Sequence, residues 1–309
     1  MKITDKIDNV TNISKEYLSE SPPVPISVKI ELTGFCNFNC EFCAKARRLR
    51  QLGEMDKGFY ESIVDNLAEI GVKELGLFYL GESFLCKWLP EAILYAKEAG
   101  IGYTFLTTNG AAANYDSIEK CMKAGLDSLK FSYNYHDGEQ LKLLTGAPAE
   151  TFEKIKNNIK AASEIREKNN LKCGLYASYI EYDGEQSSKM DNAIKQIEKH
   201  VDEIYALPLY NQAALVETKQ KWNFTSGNQG RVGNLRSPLP CWALFTEGHI
   251  SWDGHLSACC FDHDRRFHMG NLNEMTFMEA WHSEKFKELR RSHMMKSVEG
   301  TVCEQCTVW

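Results

Sequence analysis

The sequence contains no apolar run long enough to span a membrane, and no signal peptide opens it, so it reads as a cytoplasmic chain. It also lacks any excess of positive charge. Its 36 Lys and Arg stand against 42 Asp and Glu, a net charge of −6, which argues against a broad basic surface for nucleic acid. Without an export signal there is no oxidising compartment to expect, so the 11 cysteines read as metal ligands or buried small hydrophobes rather than as a disulfide framework. At 309 residues, 43% hydrophobic and 25% charged, there is ample material for a core. Residues 1–25 are polar and end in prolines, the pattern of a surface arm.

The cysteines fall into two groups, with Cys86, Cys121 and Cys173 scattered between them as packing residues. The first group lies in Cys36-Asn37-Phe38-Asn39-Cys40-Glu41-Phe42-Cys43, a C-x3-C-x2-C spacing. Such a loop can wrap three thiolates around one face of an iron–sulfur cube, leaving one iron open to a reactant. Zinc is the alternative, although a structural zinc site is normally closed by four ligands. The second group is Cys241, Cys259, Cys260, Cys303 and Cys306. Ile250 to Leu256, with Asp253-Gly254 at its tip, reads as a hairpin, and Phe277 to Leu289 as a helix. On spacing alone, four cysteines gathered by that hairpin and a terminal C-x2-C suit zinc or iron–sulfur equally.

Between the two groups the chain repeats a βα unit. Ile70-Gly71-Val72, Ala99-Gly100-Ile101 and Ala124-Gly125-Leu126 each place glycine between a helix end and an apolar residue leading into a strand. Strands are expected at 26–33, 75–80, 103–108, 129–133, 174–180 and 204–209, and helices over 59–70, 91–99, 116–124, 152–168 and 189–201. Six strands with five helices suit a parallel barrel-like α/β sheet, with an open doubly wound sheet as the alternative. In either, chemistry sits at the carboxyl ends of the strands. Cys36, Gly81-Glu82, Thr108-Asn109, Ser132 and Ser178 all fall at or near such ends. Residues 213–238 break the repeat and are expected to form a linker or a lid.

The first cysteine stretch, with aromatic Phe42 just before the third cysteine, resembles the radical S-adenosylmethionine (radical SAM) family. The resemblance implies a partial (β/α)6 barrel over 26–212, with Cys36, Cys40 and Cys43 holding a [4Fe–4S] cluster. Its open iron would chelate SAM, and reductive cleavage would give a 5′-deoxyadenosyl radical that abstracts hydrogen from a substrate. Gly81-Glu82 looks like the family's glycine–glutamate motif, which approaches the SAM amino group. Ser83 stands where proline is common. Thr108, Asn109, Ser132, Ser178 and Phe42 complete the implied SAM site.

Residues 239–309 resemble the SPASM auxiliary-cluster domain in its short "twitch" form, a small hairpin-and-helix unit. The resemblance is carried by Cys241, Gly254, Cys259, Gly270-Asn271-Leu272, Trp281, Cys303 and Cys306. It implies a second [4Fe–4S] cluster closed by Cys241, Cys259, Cys303 and Cys306. Cys260, as the strand neighbour of Cys259, is expected to face away from that cluster and is a candidate hydrogen donor. Gly53-Glu54-Met55-Asp56 and Gly81 to Lys87 are similar to the twitch enzymes of aminocyclitol metabolism, the 2-deoxy-scyllo-inosamine dehydrogenases among them. The resemblance therefore implies dehydrogenation of a small polar substrate, an amino sugar or cyclitol, and an external electron donor such as flavodoxin or ferredoxin. Epimerisation, a ribosomal peptide substrate, and a non-enzymatic iron–sulfur redox sensor are the alternatives.

Overall fold

The computed structural model describes residues 2–47, 49–207, 209–210, 212–216 and 239–306. Most of the expected linker or lid, residues 217–238, lies outside the described residues.

Six parallel strands form the body: β1 (Ser27–Ile30), β2 (Glu74–Gly76), β3 (Tyr103–Thr108), β4 (Ser128–Ser132), β5 (Gly174–Ile180) and β6 (Glu203–Leu207). Helices α2 (Lys57–Glu69), α3 (Leu89–Glu98), α4 (Tyr115–Lys123), α6 (Thr151–Lys168) and α7 (Glu185–Ile194) alternate with them. Period-two alternation decides what faces where. Val28, Ile30 and Leu32 are fully buried in one core with Tyr60, Val64 and Leu67 of α2, while Lys29 between them lines the lumen. The three punctuating glycines adopt φ of +94°, +98° and +101° at Gly71, Gly100 and Gly125, which explains why the repeat uses that residue.

The sheet does not close and does not stop at six strands. Its order is β6-β5-β4-β3-β2-β1-β7-β8-β9. β7 (Glu247–Ile250) pairs in parallel with β1, from Ser27 opposite Glu247 to Ile30 opposite Ile250. β8 (His255–Ser257) and β9 (His268–Asn271) follow as antiparallel neighbours. The half-barrel and the carboxyl-terminal unit thus share one sheet, and backbone hydrogen bonds fix the second cysteine group relative to the first.

Several boundaries differ from expectation. Strand two ends at Gly76 because the chain turns towards Gly81. The helix expected over 189–201 runs from Glu185 to Ile194 and gives way to a single turn of 3-10 helix at Glu198–His200. The carboxyl-terminal helix is two, α8 (Phe277–Trp281) and α9 (Glu284–Met294), broken at His282 and Ser283. An additional helix, α5 (Gly138–Thr145), is capped by the Asp137 side chain and stopped by left-handed Gly146.

The opening segment is not a surface arm. Its first residues form α1 (Ile3–Thr11), which buries Ile3 and Val10. The helix lies across the amino ends of the strands. Thr4 donates to Glu203 of β6, Lys6 pairs with Glu74 of β2 at 3.0 Å, and Thr246 before β7 donates to the Val10 carbonyl at 2.6 Å. Three residues spaced along one helix thereby close the base of the half-barrel. The chain then runs to the carboxyl-terminal unit, where Pro23 accepts from the Trp281 indole at 3.1 Å and Glu20 pairs with Arg291 at 2.7 Å. Among the described residues no helix is long and apolar enough to cross a membrane.

Candidate functional site

The loop after β1 carries Cys36, Cys40 and Cys43. Backbone bonds to its surroundings hold it open: Asn39 donates to Thr145 at 3.1 Å and Glu41 to Leu144 at 2.8 Å. Lys45 reaches back to the Cys36 carbonyl at 2.9 Å, and the Ala44 amide donates to Gln212 Oε1 at 2.8 Å. The three thiols are free. Burial pushes Cys36 up to about 11 and raises Cys40 and Cys43 as well. Thiols so placed do not ionise alone at neutral pH. A bound iron ion supplies the charge that deprotonates a coordinating thiol, so the donor set fits an iron–sulfur group. Beside Cys40 Sγ stands the Tyr135 hydroxyl at 3.5 Å. Phe42 packs against the same tyrosine, ring centroids 6.4 Å apart.

The strand-end residues converge on this loop. Built on Gly81, a Cβ would lie 2.0 Å from the Thr33 carbonyl oxygen and 2.8 Å from that of Phe35, so only glycine admits the approach. Glu82 follows. Its amide donates to Phe35 at 2.8 Å, and its carboxylate accepts from the Phe84 amide (3.2 Å), the Thr108 hydroxyl (2.8 Å) and the Asn109 amide (2.8 Å). Buried to 2% exposure, the carboxylate is raised by desolvation, against which these three donors work. The glutamate expected to meet an ammonium thus spends its oxygens fastening β3 to the loop. The Asn109 side-chain amide stands 3.8 Å from Cys36 Sγ and donates to Asn37 at 2.8 Å. Ser132 and Ser178 are register partners across β4 and β5.

The second group gathers as well. Cys241 interacts electrostatically with Cys260, Cys303 and Cys306, and Cys259 with Cys260 and Cys306. Burial raises Cys241 strongly and pushes Cys303 up to about 12; a hydrogen bond with Cys260, then burial, raises Cys259. The Cys241 amide donates to His293 Nδ1 at 3.1 Å, an acceptor because burial lowers His293 to about 4. Among the described residues no three such side chains close tightly enough for a single metal ion. The donor type, not a preformed mononuclear site, is what fits a cluster here.

Cys260 does not face away. β8 ends at Ser257, so Cys259 and Cys260 lie in a turn where strand alternation no longer holds. The Cys260 thiol instead lines the lumen.

The lumen is a cavity of about 440 Å³ running up from α1. Aromatic rings, among them Phe78, Phe105, Tyr205 and Tyr210, form part of its wall, and Cys241 and Cys260 another part. The segments that carry the two cysteine groups are tied together by side chains. Tyr79, after β2, donates to the Cys259 carbonyl and packs on His249 at 5.3 Å. The Trp252 indole is wedged between Gly34 and Gly53, and its amide donates to Glu31 at 3.2 Å. Glu31 is held in turn by both guanidinium nitrogens of Arg50. Glu54 bridges to Thr33, and Asp56 caps α2 through the Phe59 amide at 2.9 Å, which accounts for the Gly53-to-Asp56 stretch. Tyr79, Tyr135, Gln212 and Trp252 carry no sequence signal, because each acts only through neighbours distant in the chain.

Known proteins point the same way. The Radical SAM superfamily profile matches residues 30–176, and the SPASM iron-sulfur cluster-binding domain matches residues 241–307. A PqqA peptide cyclase of Xanthomonas campestris pv. campestris is 25% identical over 94% of this chain and 81% of its own. An uncharacterized protein of Methanocaldococcus jannaschii is 27% identical over 76% of this chain and 78% of its own. Among solved structures, BtrN in complex with AdoMet and 2-DOIA superposes with a TM-score of 0.60 at 16% identity, covering 91% of this chain and 92% of that one. Streptococcus suis SuiB bound to precursor peptide SuiA superposes at 0.69 with 17% identity, covering 98% and 72%. The chain carries a Radical SAM domain over residues 30–176 and a SPASM domain over residues 241–307, a pairing that implies SAM and more than one [4Fe–4S] cluster as its cofactors.

Proposed function

We propose that this protein is a radical SAM oxidoreductase whose substrate occupies the lumen of the half-barrel. Residues 26–212 are the catalytic half-barrel, 213–238 the link, and 239–309 the auxiliary domain; residues 1–25 supply the helix that closes the base. Cys36, Cys40 and Cys43 hold the first cluster, with Gly81, Glu82, Thr108, Asn109, Ser132, Ser178 and Phe42 shaping the SAM pocket. Cys241, Cys259, Cys303 and Cys306 hold the second. When bound, SAM and the first cluster supply a 5′-deoxyadenosyl radical for hydrogen abstraction, and the second cluster supplies a one-electron acceptor. An external flavodoxin or ferredoxin is the electron donor.

One observation carries the oxidative reading: Cys241, a second-cluster ligand in this assignment, and Thr107, next to the SAM-site residue Thr108, line the same cavity. On this reading a substrate carbon held there would lie between the two redox centres. Hydrogen abstraction followed by loss of one electron and one proton oxidises that carbon by two electrons. The cavity holds a group the size of one sugar ring or one peptide side chain. BtrN with 2-DOIA supports the first, and the PqqA peptide cyclases and SuiB with SuiA support the second.

A second reading is epimerisation, favoured by the Cys260 thiol on the cavity wall. Turnover in deuterated water separates the two. The expected product is oxidised by two electrons and carries no new deuterium, with Cys260→Ala still forming it. Deuterium at an inverted carbon, lost in Cys260→Ala while 5′-deoxyadenosine persists, would establish epimerisation instead.

A further inference from the structure

The charged side chains along the lumen do not balance. The described residues lining it include three lysines, Lys6, Lys29 and Lys130, and two carboxylates, Glu74 and Glu247. Lys6 pairs with Glu74 at 3.0 Å, and Lys29 pairs with Glu247 at 2.8 Å. Glu247 is also held by His249 at 2.8 Å, so its charge is fully engaged. Lys130 is left over. It sits in the middle of β4, in register with Thr107 of β3 and Tyr176 of β5. Its ammonium stands over the face of Tyr205, 5.8 Å from the ring centroid, and it has no ion pair or hydrogen bond among the described residues.

Lys130 is half-buried, and an ammonium partly withdrawn from water with no ion pair of its own is costly. Desolvation, together with the like charge of Lys29 and against the attraction of Glu247, lowers Lys130 to about 8, so at neutral pH the cation still predominates. The wall of Phe78, Phe105, Tyr205 and Tyr210 offers apolar surface, and Glu247, the carboxylate whose charge reaches Lys130, is already paired with Lys29 and His249. The missing partner is therefore one that the occupant brings.

We propose that Lys130 is the anchor for a carboxylate on the substrate, held in the lumen with the remainder of the group against the aromatic wall. This rests on the reading of the lumen as the substrate site and deepens it. A substrate bearing only amino and hydroxyl groups would leave the lysine unpaired and would add like charge beside it. A carboxylate forms a charge-assisted hydrogen bond there in a low-dielectric setting. It can come from a free organic acid or from an acidic side chain of a peptide.

The test uses anaerobically reconstituted holoenzyme, oxidised and with SAM bound, and measures equilibrium binding of two probe pairs. One is 3-phenylpropionate against 3-phenylpropanamide; the other is N-acetylglutamate methylamide against N-acetylglutamine methylamide. In at least one pair the acid is expected to bind tenfold tighter or more than its amide. Lys130→Met and Lys130→Gln should erase that preference, and Lys130→Arg should keep it. Which pair responds identifies the source of the carboxylate. Removal of an unpaired, half-buried charge should leave the melting temperature of Lys130→Met equal to the parent or higher, which a lysine with a purely structural role would not do. No acid preference in either pair, or one that survives Lys130→Met, overturns the proposal. Because no reductant is present, the result is independent of radical chemistry, and a failure of SAM cleavage is detected separately as absent 5′-deoxyadenosine.

Discussion

Alanine at Cys43 is expected to bring 5′-deoxyadenosine formation from SAM and dithionite-reduced protein down to background. Three thiolates leave a cube one open iron, which is what chelation of SAM requires. With two thiolates the cube has two open corners and a loop that no longer encloses it. The backbone of the loop should survive, because its restraints do not use the Cys43 side chain as donor. Asn39 and Glu41 donate to Thr145 and Leu144, and Lys45 holds the Cys36 carbonyl. The variant should therefore fold, melt close to the parent, and retain iron only at the carboxyl-terminal group. Cys303→Ala is the complementary case. It should lose the second cluster's iron and product formation while still cleaving SAM, since the first loop takes no ligand from residues 239–309. Iron and sulfide content, with the deoxyadenosine assay on both variants, distinguishes these outcomes. An active Cys43→Ala would refute the assignment of the first site. Stoichiometric zinc at the second group would refute that of the other.

How much of this could be read from sequence varied with how local each cause is. The glycine-punctuated repeat announces β2, β3 and β4, because a helix end with positive φ followed by an apolar strand is written within about ten residues. The Cys36 loop was equally local. The failures were failures of context. Ile3, Ile7 and Val10 have helical spacing, yet a helix of nine residues has too little apolar surface to declare itself until a half-barrel with an open base is there to receive it. Cys260 was placed by strand alternation, and alternation stopped two residues earlier, at Ser257. That single boundary reversed the direction of a thiol. Lys130 occupies an ordinary alternating position in a strand. Its isolation is a statement about Glu74 and Glu247, each already taken by another lysine. The union of the two domains in one sheet also had no local signal, since the pairing of β1 with β7 joins residues about 220 apart.

Replacing Gly81 by alanine should be among the most damaging single changes available to this chain. The added methyl would sit 2.0 Å from the Thr33 oxygen, 2.8 Å from the Phe35 oxygen and 3.0 Å from the Thr33 carbonyl carbon. All three are backbone atoms, so no side-chain rotation can relieve the clash. The segment must move as a whole, and it is the segment that delivers Cys36. Moving it also breaks the Glu82 amide bond to Phe35, and Glu82 is the residue whose carboxylate fixes Thr108 and Asn109. One methyl group thereby separates the cluster loop from the end of β3. The cost should reach or exceed ~3 kcal/mol, the upper end for ordinary overpacking, because rigid backbone rather than a flexible side chain must yield. Gly102→Ala provides the comparison, since its new methyl would meet only the Lys73 oxygen at an ordinary 3.5 Å. Gly81→Ala should show a lowered melting temperature, less iron at the first site and little deoxyadenosine, and Gly102→Ala should match the parent in all three. If Gly81→Ala keeps a full complement of iron and an unchanged melting temperature, the close approach of the Gly81 turn to the Cys36 loop is wrong, and with it the role given to Glu82.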